Sequence, residues 1–358
     1  DEHQQDAPLT PEQLEAYEEL RKQAEALSHK GLAKNEEGEI EEIGQRPIFS
    51  IIRDMDRVCT DMDLYHRRIT YRFPPEYKEA VQKLVDSLPK TVSTEGEGDE
   101  ETETASVEYS LLDKGDFIQL QVREAYENEV NKRLAKFGID DRRVTHPVTP
   151  KYEKLIATLK EFYPQGKQII FTDEKTQHQK LKRIIAHALG IEPGKIGILN
   201  AQTVAEAGKG AKKLKAVKPP KELPDEPTDA QLQKYTDQMA LYDAYMAQQN
   251  EVSLGGLEKI AADFQEGRTP IIICNKKAEV GINLHKGTTD IHHLTLSWTP
   301  ASIAQRNGRG ARVGSGRASV RVHYYCGKGS FDEYRLKTLK RKASWITDIL
   351  RSDKSSMD

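Results

Sequence analysis

Cysteine is scarce in this sequence: Cys59, Cys274 and Cys326 are odd in number, far apart and without metal-ligand spacing. That usage argues against a disulfide scaffold and implies no structural zinc, so the protein is expected in a reducing cytoplasm with no metal ligands of its own. Long apolar runs are missing too. None approaches the roughly 20 residues of a membrane span, and the opening DEHQQDAPLTPEQ lacks the basic and apolar regions of a secretion signal. No membrane partner is expected. The chain starts on Asp1, as a piece of a longer protein or a trimmed whole one does. Charge of one sign is absent as well: 31% of residues are charged, yet the formal net charge is -3, so any anion-binding face must be a local patch. A phosphate loop of the form GxxxxGK[ST] is also lacking, because EPGKIGI, AGKGAKK and CGKGSFD fail on spacing or on the final hydroxyl.

What is present divides in two, as 358 residues allow. Residues 1–145 read as mainly helical. Thr10, Pro11 and Gln13 form an N-cap, a first-turn proline and the third residue of a capping box, predicting a helix through about Leu27. Ile48, Ile51, Ile52, Met55, Val58, Cys59 and Met62 recur at helical spacing, and Pro75 opens another helix with Tyr77, Val81, Leu84, Val85 and Leu88. Between them and the second part, the acidic stretch TVSTEGEGDEETETAS (91–106) offers little apolar surface to offset the entropy of ordering, and is expected to be a mobile loop.

From 146 to 358 strand and helix alternate. KQIIFT, GKIGIL, PIIIC, DIHHLTLS and ASVRVHYY read as strands, separated by helices opened at Thr149-Pro150 and Thr299-Pro300, by HQKLKRIIAHALG and by GGLEKIAADFQEGR. That order predicts an α/β fold with a parallel sheet flanked by helices, binding ligands beyond the carboxyl ends of its strands. An insertion at 204–254 interrupts it. Its first half carries Lys209, Lys212, Lys213, Lys215, Lys218 and Lys221; its second half is a helix capped by Thr228 and Gln231. On that helix Leu232, Tyr235, Met239, Tyr242 and Met246 form a stripe expected to pack on a neighbour.

The segment QRNGRGARVG places Arg306, Arg309 and Arg312 three residues apart between Gly308, Gly310 and Gly314. Three guanidinium groups so close repel one another unless an anion sits among them, and their planar forks suit phosphate oxygens. The bland alternative is a solvated basic loop. Other motifs carry less. Asp173 and Glu174 in IIFTDEKTQH mimic a magnesium-binding DExH but no phosphate loop precedes them; FPPEY lacks the Asn or Asp of an amine-methylating site; His292 and His293 are neighbours on a strand and point to opposite faces.

GINLHKGTTDIHHLTLSWTPASIAQRNGRGARVG resembles the motif V to motif VI segment of superfamily-two helicases and translocases, and the Trp-x-Pro followed by Gln resembles the Swi/Snf-type branch of DNA translocases. The matching positions are Gly281, Ile282, Asn283, Leu284, Trp298, Pro300, Gln305, Arg306, Gly308, Arg309, Arg312 and Gly314. The stretch from Thr149 is similar to the motif IV region of the second RecA-like lobe, and IIRDMDRVCTDMDLY to the helix joining the two lobes. Where that branch carries paired glycines in motif V, this chain has Ala278 and Glu279.

The resemblance implies a second, C-terminal RecA-like lobe working with a first lobe of the same full-length protein, which would hold most of the ATP and Mg²⁺. It implies Arg309 and Arg312 as arginine fingers, Gln305, Arg306, Gly308 and Gly281 at the nucleotide, and Thr172 and Asn283 at DNA. Apart from the resemblance, the lysine run of the insertion, with Lys212 and Lys213, reads either as a solvated loop or as a contact to a nucleic-acid backbone. Such lobes occur in phage and mobile-element methylase-helicases and antirestriction proteins. The implied function is ATP-dependent movement on DNA, the isolated chain being inactive for want of a phosphate loop and DExx motif. Two other readings stay open: a degenerate lobe that binds nucleic acid or protein without hydrolysis, and a purely structural interaction module.

Overall fold

The computed structural model describes residues 1–30, 48–95, 102–106, 109–208, 217–224, 227–279, 281–312 and 314–355. In chain order its elements are β1 (Glu2–Ala7), α1 (Pro11–Lys30), α2 (Ile48–Thr60), α3 (Met62–His66), β2 (Arg68–Phe73), α4 (Lys78–Asp86), β3 (Thr91–Glu95), β4 (Thr102–Ser106), β5 (Tyr109–Asp113), β6 (Ile118–Arg123) and α5 (Glu127–Arg133). They continue with α6 (Pro150–Phe162), β7 (Lys167–Phe171), α7 (His178–Leu189), β8 (Ile196–Leu199), α8 (Ala201–Ala207), α9 (Asp229–Gln265), β9 (Ile271–Cys274), β10 (Thr288–His293), α10 (Pro300–Gly310), β11 (Arg321–Gly327) and α11 (Phe331–Ser355).

The expected parallel sheet is there, in the order β1-β11-β10-β7-β9-β8. Its strands alternate between two cores, as period two requires. Ile169, Phe171, Ile272, Cys274, Ile291, Val322 and Tyr324 face Val204, Leu257, Phe264 and Leu336 on one side. Ile170, Ile196, Ile198, Ile271, Ile273 and Tyr325 face Tyr152, Leu155, Leu159, Leu181, Ile184 and Ile185 of α6 and α7 on the other. Helices on both faces of a parallel sheet give the RecA-like α/β class read from the sequence.

The first third is mainly helical but also holds strands that the sequence reading did not include. The capping box of α1 is as predicted, Thr10 N–H donating to Gln13 Oε1 at 2.9 Å and Gln13 N–H to Thr10 Oγ1 at 3.2 Å. Val81, Leu84 and Val85 are the buried face of α4. Yet β2, β6 and β5 form an antiparallel sheet between these helices. Ile69, Tyr71 and Phe73 pair across with Val122, Leu120 and Ile118 on its buried face, a two-residue alternation that outweighs helix propensity. The acidic stretch is likewise not a plain loop: β3 and β4 pair as an antiparallel hairpin, whose backbone bonds need no apolar side chains. The strand β1 joins the edge of the main sheet beside β11.

Buried ion pairs fasten this part to the lobe. Lys180 Nζ on α7, 1% exposed, sits 2.8 Å from Asp61 Oδ2 and 3.0 Å from Asp63 Oδ2. Lys151 Nζ on α6, paired within the lobe to Asp332 Oδ2 at 2.8 Å, also reaches Thr60 Oγ1 of α2 at 3.5 Å.

In the insertion, Lys209, Lys212, Lys213 and Lys215 lie outside the described residues. The Thr228–Gln231 capping box is formed, and its helix runs unbroken through GGLEKIAADFQ as α9. The stripe expected to pack on a neighbour is only partly covered: Tyr235 and Tyr242 are half-buried, while Leu232 is 50% exposed, Met239 37% and Met246 40%.

Candidate functional site

Helix α10 is built to lie tightly on the sheet. Thr299 Oγ1 caps it by accepting from Ser302 N–H at 3.2 Å, and Pro300 supplies a first turn that needs no amide donor. A Cβ on Gly310 would come within 2.9 Å of Ile291 Cδ1 and 3.0 Å of Thr288 Cγ2, so any side chain there would have to push these neighbours aside. The loop after β9, residues 275–287, lies beside the helix, and Leu284 N–H donates to Arg309 O at 3.0 Å.

The three arginines, alike in the sequence, have different surroundings. Arg306 is 2% exposed. Its Nε donates to Glu279 Oε1 at 2.8 Å, its Nη2 to both oxygens of Asp173 at 2.8 and 3.0 Å, and its Nη1 to Thr295 O at 3.5 Å. The guanidinium also lies 5.3 Å from the centre of the Phe171 ring. A buried cation held between two carboxylates is a clamp. The nucleotide-facing position expected for Arg306 is not the one it takes, because Asp173 and Glu279 already engage it.

Arg309 and Arg312 have only neutral oxygens. Arg309 Nη1 donates to Ile282 O at 3.0 Å and Nη2 to Glu279 O at 2.5 Å, while its Nε is enclosed without a partner. Burial, with the neighbouring Arg312, holds its pKa below the usual arginine value. Arg312 is exposed and donates to Asn283 Oδ1. Among the described residues neither forms an ion pair. Two adjacent guanidinium groups without carboxylates, one with an unmatched donor, leave positive charge for an external anion.

The other expected positions divide. Gln305 is exposed on α10, Gly308 has open space around it, and Gly281 is exposed at φ 74, so all three flank the same segment. Asn283 is exposed beside Arg312. Thr172 is not at the surface: it is fully buried at the end of β7, its N–H donating to Cys274 O at 2.8 Å and its carbonyl meeting His178 Nε2 at 3.0 Å. A nucleic-acid contact by its side chain has no path in this structure. Asp173 and Glu174 are taken up in ion pairs with Arg306 and Arg57, not gathered as a metal site.

Two acids of the site carried no role in the sequence reading. Glu279, noted there only as a departure from paired glycines, is 5% exposed and accepts from Arg306 and from Ser302 Oγ at 2.7 Å. The signal was present in its replacement of a glycine by a carboxylate near three arginines. Asp173 had no such signal, being 133 positions from Arg306.

The stretch that contains this geometry, residues 232–314, matches the family described as the helicase conserved C-terminal domain. The whole chain is 79% identical over 362 aligned residues to the "Defense against restriction protein B" of Escherichia phage P1, of which it spans 16%. Among solved structures, the chain is similar to the C-terminal part of the Fun30 ATPase domain, with a TM-score of 0.48 and 15% identity over 94% of this chain and 88% of that one. It is also similar to the DUF1998 helicase MrfA bound to DNA, with a TM-score of 0.33 and 12% identity over 54% of this chain and 22% of that one. Among the described residues no helix is long and apolar enough to cross a membrane, and no group of three or more His, Cys, Asp or Glu side chains could hold a metal ion.

Proposed function

We propose that the chain is the second lobe of an ATP-dependent DNA helicase or translocase of the Swi/Snf type, with residues 1–145 as its inter-lobe region and residues 146–358 as the lobe, interrupted at 204–254. The observation that carries this reading is the pair Arg309 and Arg312, adjacent and without carboxylate partners, on the segment that matches the helicase C-terminal family. The first lobe elsewhere in the full-length protein binds most of the ATP and Mg²⁺. When bound, the triphosphate supplies a phosphoryl group whose charge grows during transfer. The two guanidinium groups meet that charge, an effect worth about 10³ to 10⁵ in rate for an arginine finger. Arg309 must first give up its bonds to Ile282 O and Glu279 O, so it acts only when the lobes close. The phage relative is named for defence against restriction, and we place the motor in that setting, on DNA in the cytoplasm of a bacterial host.

The test uses the full-length protein. Arg309→Lys and Arg312→Lys keep the charge but lose the planar fork, so kcat should fall by about 10³ or more while ATP affinity changes little. Arg317→Lys should be nearly silent, since Arg317 Nη2 donates to Gln165 O at 2.8 Å, away from the pair. The 358-residue chain alone should release no phosphate above background. Lysine variants that hydrolyse ATP at the parent rate would favour a degenerate lobe that binds DNA or protein without hydrolysis.

A further inference from the structure

Glu279 touches α10 at three places. Its Oε1 accepts from Ser302 Oγ at 2.7 Å and from Arg306 Nε at 2.8 Å, and its main-chain oxygen accepts from Arg309 Nη2 at 2.5 Å. Positions 302, 306 and 309 lie at i, i+4 and i+7, which is one face of a helix over two turns. One residue of the 275–287 loop thus sets both the rotation and the height of the helix that carries the arginine pair.

Burying this carboxylate is costly unless it is paired. Arg306 offsets that cost, and Asp173 fixes the far edge of Arg306. An ion cluster of this kind adds little net stability compared with apolar packing, but it admits a single arrangement. Glycine or alanine at 279 would still present the main-chain oxygen to Arg309, yet would leave Arg306 with Asp173 alone and Ser302 unbound.

We infer that Glu279 is a positioning residue for the Arg309 finger, acting through Arg306 and Ser302 to hold α10 in the register from which Arg309 reaches phosphate. This inference rests on the function proposed above. Misplacing a reacting group by about 1 Å costs roughly 10² in rate.

In the full-length protein, Glu279→Gly should lower kcat for ATP about 10²-fold with the KM for ATP changed less than about threefold. Glu279→Gln, which keeps the Oε1 acceptor, should recover most of that loss, and Ser302→Ala, which leaves no buried charge exposed, should show a smaller fall. Parent-like kcat in Glu279→Gly, or an unchanged kcat with a raised KM, overturns the inference. A parent protein without ATPase activity removes the proposed function instead, and the geometry is then read by hydrogen exchange on the 358-residue chain. Glu279→Gly, or Ser302→Ala if the glycine variant does not fold, should speed exchange of the Leu284 amide and of α10 by about tenfold or more, equivalent to about 1.4 kcal/mol or more of lost local stability, while β7 and β9 keep their rates. Unchanged exchange at Leu284 and in α10 also overturns it.

Discussion

Arg306 and Asp173 lie 133 positions apart in the chain, and Nη2 of the one sits 2.8 Å from Oδ1 of the other, beneath a surface that leaves Arg306 only 2% exposed. This bond ties α10 to the end of β7. Because Glu279 takes the opposite edge of the same guanidinium, Arg306 is architectural, whereas Arg309 and Arg312 form no ion pair among the described residues.

The division has a thermodynamic consequence. Arg306→Ala leaves Glu279, 5% exposed, as a buried carboxylate without its cation, and should destabilise the chain by about 3–5 kcal/mol. Arg309→Lys and Arg312→Lys leave no buried ion unpaired, and should shift stability by less than about 1 kcal/mol. Urea unfolding of the three variants checks this. Equal losses for Arg306 and Arg309 would mean that both are structural.

Adjacent glycines in α9 should respond with opposite signs. A Cβ on Gly256 would stand 2.0 Å from Val204 O and 3.0 Å from Gly208 N, so α8 and α9 meet there only because position 256 has no side chain. Gly256→Ala should cost about 1–3 kcal/mol through overpacking against backbone. Gly255 has nothing within 4 Å of such a Cβ, and Gly255→Ala should stabilise the chain by about 0.5–1 kcal/mol from helix propensity. Thermal unfolding midpoints that move together would contradict this packing.

Glu127, at the start of α5, is 7% exposed and has no hydrogen-bond or ion-pair partner among the described residues. It lines a cavity of about 280 Å³ with Asn128, Lys175, Asn200 and Glu206. Burial pushes its carboxyl from 4.5 up to about 8. The folded chain therefore holds a proton that the unfolded chain releases, and this group's contribution lowers stability as pH rises from about 4.5 to about 8. Glu127→Gln should remove that slope and stabilise the chain at pH 8 by about 1–3 kcal/mol. Denaturation from pH 5 to 8 measures it, and an unchanged slope would place the carboxyl in water.

How much was legible in advance follows from where each signal lies. Period-two strands and helix caps are local, so β7 to β11, α10 and the Thr228 cap could be read along the chain. Ile69, Tyr71 and Phe73 carried the same local signal and were outweighed by their helical neighbours. The strand β1 had none: EHQQDA buries only Ala7, and what holds it is backbone pairing with β11, the stacking of His3 on His323 and the bond from Tyr324 Oη to Glu2 Oε1 at 3.0 Å, all of which depend on the fold. The arginine spacing pointed to a phosphate-like ligand, but the split between clamp and free pair depends on Asp173 and Glu279, which reach Arg306 only through the fold.

In the lysine-rich part of the insertion, Lys212 and Lys213 read from the sequence either as solvated charges or as contacts to a nucleic-acid backbone. Those two lie outside the described residues, but Lys218 and Lys221 from the same run are exposed, and Lys218 O accepts from Gln238 Nε2 at 2.9 Å, which fastens the end of the run to α9. The described end of the run is thus anchored to α9, with Lys218 and Lys221 exposed to solvent. If lysines of this run contact duplex phosphates, each releases counterions, and log affinity falls with log salt by about 0.9 per contact. Lys212→Gln together with Lys213→Gln should then flatten the salt slope of duplex binding by about 1.8 and weaken binding alike for unrelated sequences. Titrations of the full-length protein with labelled duplex from 50 to roughly 200 mM salt give both slopes. A slope that does not change assigns the pair to solvent and leaves Asn283, beside Arg312, as the remaining expected DNA contact with an exposed side chain.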